Sequence, residues 1–196
     1  MARAPRLGAV KSRLAATLGD AAALMIYRQT AELALTAARA SGLRTTVAFT
    51  PPDAEAEMRV WLGSELAYAP QSGGDLGHRM ATAIARERAG GARAIVVVGT
   101  DCPGLTADHI GSAVAMLHDA DVVYGPAVDG GYYLVATRAP HAALFDAVPW
   151  SSPETLAVSR QRASDAGLRV TLLPELRDVD TEDDWRWSVQ VGLLPP

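Results

Sequence analysis

The chain has 196 residues, 49% of them apolar and 20% charged, with a net charge of −4 at pH 7. That length fits one domain with a substantial core, and the balance of apolar and charged residues excludes general disorder. The charges are dispersed without a basic tract, which argues against nucleic acid as a partner, and the single cysteine, Cys102, excludes an internal disulfide and suits a reducing compartment.

Taken in order, helices are predicted over 9–18 and 21–41, rich in Ala and Leu, with Gly19 between them and Gly42 ending the second. Arg28, Glu32 and Arg39 interrupt the second, so it is a surface helix and not a membrane span. No signal peptide is recognisable, and the expectation is a soluble, cytoplasmic protein. A β-branched strand over 45–49 stops at Pro51-Pro52, Asp53 caps a helix to Leu62, and 65–69 is a weaker strand. Gly73-Gly74-Asp75 opens a helix over 76–89. The continuous apolar run 94–98 predicts a central strand buried on both faces. Gly99 and Pro103 stop that strand, and Thr106 caps a helix to His118. Strands follow at 122–124 and 132–136. Ser152-Pro153-Glu154 supplies a cap, a first-turn proline and a first-turn acid for a helix to Ala166. A last strand covers 168–173, and Asp180-Thr181 starts a closing helix.

Strands alternating with helices predict a single α/β domain over 1–196, a mostly parallel Rossmann-like sheet with helices on both faces. No internal repeat, low-complexity tract or linker interrupts it. Nothing strand-like precedes the first helix. The expectation is therefore that the N-terminal strand is missing, or that Met1 lies inside it and the true start is upstream.

Asp101 sits just past the carboxyl end of the 94–98 strand, the edge of an open α/β sheet where ligands bind. A carboxylate there suits Mg²⁺ or Mn²⁺, which in turn grips a diphosphate. Shaping the strand-to-helix turn fits the spacing equally well. Gly8-Ala9-Val10-Lys11-Ser12-Arg13-Leu14 contains the only lysine of the chain. A small-residue loop opening a helix presents backbone N–H groups, and Lys11 and Arg13 add positive charge for phosphate oxygens. Pro5 stands where a P-loop needs its first glycine, and G-x-G-x-x-G is absent, so the loop is neither a P-loop nor a dinucleotide fingerprint. Its plain reading is a solvated basic first turn, although basic residues at a helix start are unfavourable without an anion.

Gln71-Ser72-Gly73-Gly74-Asp75 is a second glycine-rich helix entry, suited to a base or ribose, or simply a loop capped by Asp75. Asp129-Gly130-Gly131 lies between two strands, where Asp-Gly is a strong turn signal and small residues also admit a ligand close to the backbone. Asp178 to Asp184 is a third acidic cluster that helix capping by Asp180 explains equally well. Histidines 78, 109, 118 and 141 lack zinc spacing. Cys102 has no identifiable base beside it and reads as a small buried neighbour of Asp101. Trp185 and Trp187 read as packing residues; Trp150 is open between packing and a sugar platform.

Five segments together, Ala2 to Leu14, Gln71 to Met80, Gly99 to Leu105, Gly125 to Leu134 and Asp178 to Asp184, resemble the radical-SAM/selenodomain-associated glycosyltransferase-like transferases. These have the nucleotide-diphospho-sugar transferase (GT-A) fold. The resemblance runs in order through almost the whole chain, and the segment from Gly125 to Leu134 is its most specific part. Arg3 stands for the family's lysine, Ser12 for its threonine and His78 for an acid. The family's first strand would fall before Met1.

The resemblance implies a metal-dependent transferase with a nucleotide-activated donor, a nucleotide sugar or NTP, and a small-molecule acceptor. It implies catalytic roles for Asp101, Lys11 and Asp129. Gly8, Lys11, Arg13, Gln71, Gly74, Asp75, Gly130 and Gly131 would bind the nucleotide and its phosphates. Asp101, with Asp129 or Asp180, would ligate Mg²⁺ or Mn²⁺. Self-association is compatible with all of this. Lys11-Ser12-Arg13-Leu14 also resembles the loop of phospholactate guanylyltransferases, so nucleotidyl transfer to a small phosphorylated compound competes with glycosyl transfer. A non-catalytic nucleotide-binding module is the third reading, and it leaves Lys11, Asp101 and Asp129 without a purpose.

Overall fold

The computed structural model describes residues 1–196, which form two compact units. The first comprises Met1–Pro70, Gly99–Ala107 and Arg177–Pro196; the second comprises Gln71–Val98 and Asp108–Leu176. No helix is long and apolar enough to cross a membrane.

In the first unit β1 (Ala2–Arg3), β2 (Thr46–Thr50) and β3 (Ala67–Pro70) form a parallel sheet in that order. Ala2 pairs with Phe49 and Arg3 with Thr50, and the Ala4 N–H extends the ladder to the Thr50 carbonyl at 2.8 Å. The sequence leaves the first strand either absent or begun around Met1. It is present at Ala2–Arg3, only two residues long and with no apolar run to announce it. The 9–18 prediction resolves into a loop to Lys11 and helix α1 (Ser12–Leu18), after which Gly19, at φ +83°, turns the chain into α2 (Asp20–Ala40). Ala23, Ile26, Tyr27, Thr30, Ala31, Ala34 and Ala37 form the buried stripe of α2 at the three- and four-residue spacing of one helix face. The stripe is mostly alanine, which lets neighbouring backbones come close. Phe49, Met58, Ala54 and Val47 make the core between the sheet and α3 (Glu55–Leu62), with Tyr68 edge-on to Phe49 at 6.4 Å. A second cluster, Leu14, Ala23, Ile26, Val179 and Leu194, joins α1 and α2 to the segment leading into the last helix, α7 (Glu182–Gln190).

The second unit holds α4 (Leu76–Ala89), β4 (Ile95–Val98), α5 (Ala107–Met116), β5 (Val122–Pro126), β6 (Tyr132–Thr137), α6 (Thr155–Asp165) and β7 (Val170–Leu172), with a 3-10 turn at Ala142–Phe145. Strand order is β4-β6-β5-β7. β6 runs antiparallel to both neighbours and β5–β7 is parallel. The reason is local: only Ala127 to Gly131 separate β5 from β6, too short for a crossover helix, so the chain must reverse. The pairings β1–β2, β2–β3 and β5–β7 are parallel, which leaves the fold mostly parallel as expected. The 94–98 run is a strand, but it closes one end of the four-strand order, and the sealed strands are β5 and β6. A β-branched run specifies a strand without specifying its place in a sheet.

Candidate functional site

Lys11 is a buried charge of the first unit that pairs with two aspartates. It stands immediately before α1 at φ +49°, ψ +52°, a left-handed conformation that costs a non-glycine residue about 1–3 kcal/mol and persists only when its surroundings hold it. The neighbours do so. Val10 is buried against Tyr27 and Ala31, and Leu14 is fully buried against Val179 and Ile26. Upstream, the Arg3 guanidinium donates to the Ala9 carbonyl at 3.0 Å, and Gly8, at φ +73°, makes the bend. The side chain is thereby driven inward and is only 5% exposed.

Its ammonium meets two carboxylates. One Asp101 oxygen makes a short ion pair with Nζ, and Nζ donates to Asp180 Oδ1 at 2.8 Å. Asp101 and Asp180 come together because the Val179 N–H donates to the Asp101 carbonyl at 2.9 Å, zipping the 99–107 segment to the approach of α7. Asp180 then precedes a capping box. Thr181 accepts from the Asp184 N–H, Asp184 accepts from the Thr181 N–H at 2.9 Å, and Arg177 holds the other Asp184 oxygen at 2.8 Å. Arg13, mostly exposed, reaches to 3.9 Å of Asp180 Oδ2.

Burial acts on the Lys11 ammonium most strongly and pulls its pKa down, but Asp101 and Asp180 together outweigh it, so the net shift is upward and Lys11 stays charged. Asp184 also feels burial first, which favours its neutral form; its bonds to Thr181 and Arg177 outweigh that and hold its carboxyl below the ordinary 3.8. The triad of one ammonium and two carboxylates carries a net charge of −1. Asp101 and Asp180 remain 45% and 36% exposed, so their unshared edges face solvent. No cluster of three or more His, Cys, Asp or Glu side chains exists that could enclose a metal by itself. Two half-exposed carboxylates aimed at one point nevertheless match the hard oxygen donors that Mg²⁺ or Mn²⁺ takes from a protein when phosphates and water complete the shell.

Two residues that sequence reasoning missed position this cluster. The Tyr27 hydroxyl donates to the Arg3 carbonyl and accepts from the Arg3 N–H, both at 2.7 Å, and the Thr100 side chain also hydrogen-bonds to it. Burial pushes the phenol up to about 12, so it stays a neutral bridge between β1 and the residue before Asp101. The available signal was a tyrosine on an otherwise small, apolar helix stripe, since a buried phenol must find partners.

The remaining predicted residues lie in the second unit. Asp75 caps α4 by accepting from the His78 N–H at 2.8 Å, and Arg79 donates to the carbonyl of Gly74, which sits at φ +89°. Gln71 begins the approach to that turn. Asp129 accepts from the Gly131 N–H at 2.8 Å and so closes its own turn. Gly130, at φ +88°, lies where a Cβ would collide with the Pro153 backbone, and its carbonyl accepts from the Leu156 N–H at 2.9 Å. Trp150 is a packing residue here: its ring stands 2.5 Å from where a Gly77 Cβ would be and 6.4 Å from the rings of Tyr132 and Phe145. The structure thus gathers Lys11, Asp101, Asp180 and Arg13 into one cluster, and gives Asp75, Asp129 and Gly130 local roles in the turns of their own unit.

Residues 32–152 match the family described as an uncharacterized protein conserved in bacteria (DUF2064). Among solved structures, a "putative nucleotide-diphospho-sugar transferase" of Desulfovibrio desulfuricans G20 is 30% identical over 97% of this chain and 84% of that one, with a TM-score of 0.92. A CMP:2-keto-3-deoxy-manno-octonic acid synthetase complexed with CTP is 15% identical over 85% of this chain and 86% of that one, with a TM-score of 0.55, a likeness of fold alone. No curated protein matches the sequence. With an α/β chain of this topology matched almost end to end, the protein belongs to the family DUF2064 and has the nucleotide-diphospho-sugar transferase (GT-A) fold.

Proposed function

We propose that residues 1–196 act as one metal-dependent transferase domain that takes a nucleotide-activated donor, moving a sugar from a nucleotide sugar to a small-molecule acceptor. The observation that carries this reading is the convergence of Asp101 and Asp180 on the buried ammonium of Lys11. In such a transfer the bond between the sugar and the donor phosphate breaks, a bond to the acceptor oxygen forms, and the nucleoside diphosphate leaves with added negative charge. Lys11 and Arg13 supply positive charge for that leaving group, and Gly8 lets the loop bend beneath them. Asp101 and Asp180 are the carboxylates that would hold Mg²⁺ or Mn²⁺. When bound, the ion would neutralise the departing diphosphate. Asp129 is the candidate to take the acceptor's proton or to add a metal ligand. Gln71, Gly74, Asp75, Gly130 and Gly131 are proposed for the nucleoside and donor phosphates, on the strength of the family motif.

Nucleotidyl transfer from an NTP is the second reading. It is favoured by the likeness of Lys11-Ser12-Arg13-Leu14 to guanylyltransferase loops and by the fold shared with a CTP-bound synthetase. A thermal-shift screen of NTPs and nucleotide sugars, with and without Mn²⁺, tests both. A ligand that binds only the folded state at a hundred times its Kd stabilises it by about 2.7 kcal/mol. Mn²⁺-dependent stabilisation by a nucleotide sugar, lost in Asp101→Asn, is expected. Stabilisation by an NTP alone favours nucleotidyl transfer, and no nucleotide response in any condition refutes both.

A further inference from the structure

The point toward which Asp101 and Asp180 converge is already filled. Both carboxylates direct an oxygen at Lys11 Nζ, whose side chain is only 5% exposed. No third acidic side chain or histidine completes a cage around it. A divalent cation arriving alone would therefore find two carboxylates half neutralised by a buried ammonium. Adding two positive charges to a triad of net charge −1 leaves +1 in a partly desolvated place. A diphosphate arriving with the cation reverses that sign and gives the displaced ammonium somewhere to go. Lys11 is suited to such a move. Its side chain caps nothing in α1, and its charge sits at the end of a four-methylene chain while Val10 and Leu14 anchor the backbone on either side.

We propose that the Lys11 ammonium is an exchangeable placeholder: in the free protein it holds Asp101 and Asp180 together, and it gives up those carboxylates to a divalent cation only when a diphosphate enters to receive it. This inference rests on the functional reading above and adds an order to it. Free Mg²⁺ or Mn²⁺ binds weakly, and cation and diphosphate each tighten the other reciprocally.

The test uses the full chain, Mn²⁺ and inorganic pyrophosphate. Mn²⁺ alone is followed by loss of the free-ion electron paramagnetic resonance signal. Mn²⁺ with pyrophosphate, which complexes the ion itself, is followed by equilibrium dialysis of the protein against the same Mn²⁺–pyrophosphate solution. In the wild type, pyrophosphate is expected to tighten Mn²⁺ binding by about 10-fold or more, within the usual range of coupling between sites. Lys11→Met is expected to bind Mn²⁺ alone about 10-fold more tightly than the wild type and to lose most of the gain from pyrophosphate. Lys11→Gln, which keeps a hydrogen-bond donor, guards against a folding defect and is expected to behave the same way. Equal Mn²⁺ affinity in the wild type and both variants overturns the exchange. If that affinity also disappears in Asp101→Asn, the metal-dependent reading still stands. Absence of Mn²⁺ binding in all proteins, with or without pyrophosphate, overturns the exchange and the metal-dependent reading together.

Discussion

The two carboxylates on Lys11 make a prediction about stability that needs no substrate. Either aspartate alone can satisfy the buried ammonium, and each is itself well solvated, at 45% and 36% exposure. Asp101→Asn or Asp180→Asn should therefore each cost only about 1 kcal/mol, the scale of a partly exposed ion pair. The double variant is different in kind. It strands an ammonium that is 5% exposed, and an uncompensated buried charge costs about 3–5 kcal/mol. The expected coupling is thus about 1–3 kcal/mol beyond the sum of the single losses. Adding Lys11→Met to the double variant replaces the stranded charge with an apolar chain of similar volume and should restore most of the deficit. Urea unfolding followed by circular dichroism at neutral pH gives the free energies of the wild type and of all four variants. Single effects that add to the double within about 0.5 kcal/mol, or a triple variant no more stable than the double, would refute the shared-ammonium geometry.

Other consequences are narrower. Tyr27→Phe removes both hydrogen bonds that the phenol makes to Arg3, and should cost about 1–3 kcal/mol in urea unfolding while weakening Mn²⁺-dependent nucleotide binding through a looser Thr100. A change in stability without any change in binding would confine Tyr27 to the fold. Asp184 has a folded pKa below its ordinary 3.8, so its contribution is present above that pH and is lost as pH falls through the lowered value. The stability gap between wild type and Asp184→Asn should hold from neutral pH down to about 4 and shrink below it. A gap that is the same at pH 3 and pH 7 contradicts that linkage. Gly130→Ala places a Cβ on the Pro153 backbone at φ +88° and should cost about 2–4 kcal/mol; a neutral result would mean that this turn is looser than the structure has it.

Much of the fold could be read from residue order because it is locally encoded. The β-branched runs read at 45–49 and 94–98, the Ala-rich second helix and the Asp75 cap each carry their own signal within a few residues, whereas the cap expected at Asp180 falls one residue later, on Thr181. What escaped was set by distant parts of the chain. β1 is two residues whose only identity as a strand is their pairing with Phe49 and Thr50. The place of β4 at one end of its order depends on β6 reversing, and periodicity does not encode strand order. Asp101 and Lys11 could each be suspected separately, but their direct contact, and the contact of Lys11 with Asp180 169 positions away, arises only from packing. Tyr27 escaped for a related reason: its partners Arg3 and Thr100 lie in segments far from it in sequence.

Lys11, Asp101 and Asp180 are proposed as the diphosphate end of a nucleotide-donor site. Titration calorimetry of UDP, GDP, CDP and ADP against the corresponding nucleosides, with Mn²⁺ present, compares the wild type with Lys11→Ala most directly. A charge-assisted contact to phosphate is worth about 1.5–3 kcal/mol, so the variant should lose about 10- to 100-fold in affinity for the diphosphate that the wild type prefers, and little for its nucleoside. Equal losses for diphosphate and nucleoside, or unchanged diphosphate binding, would contradict the account.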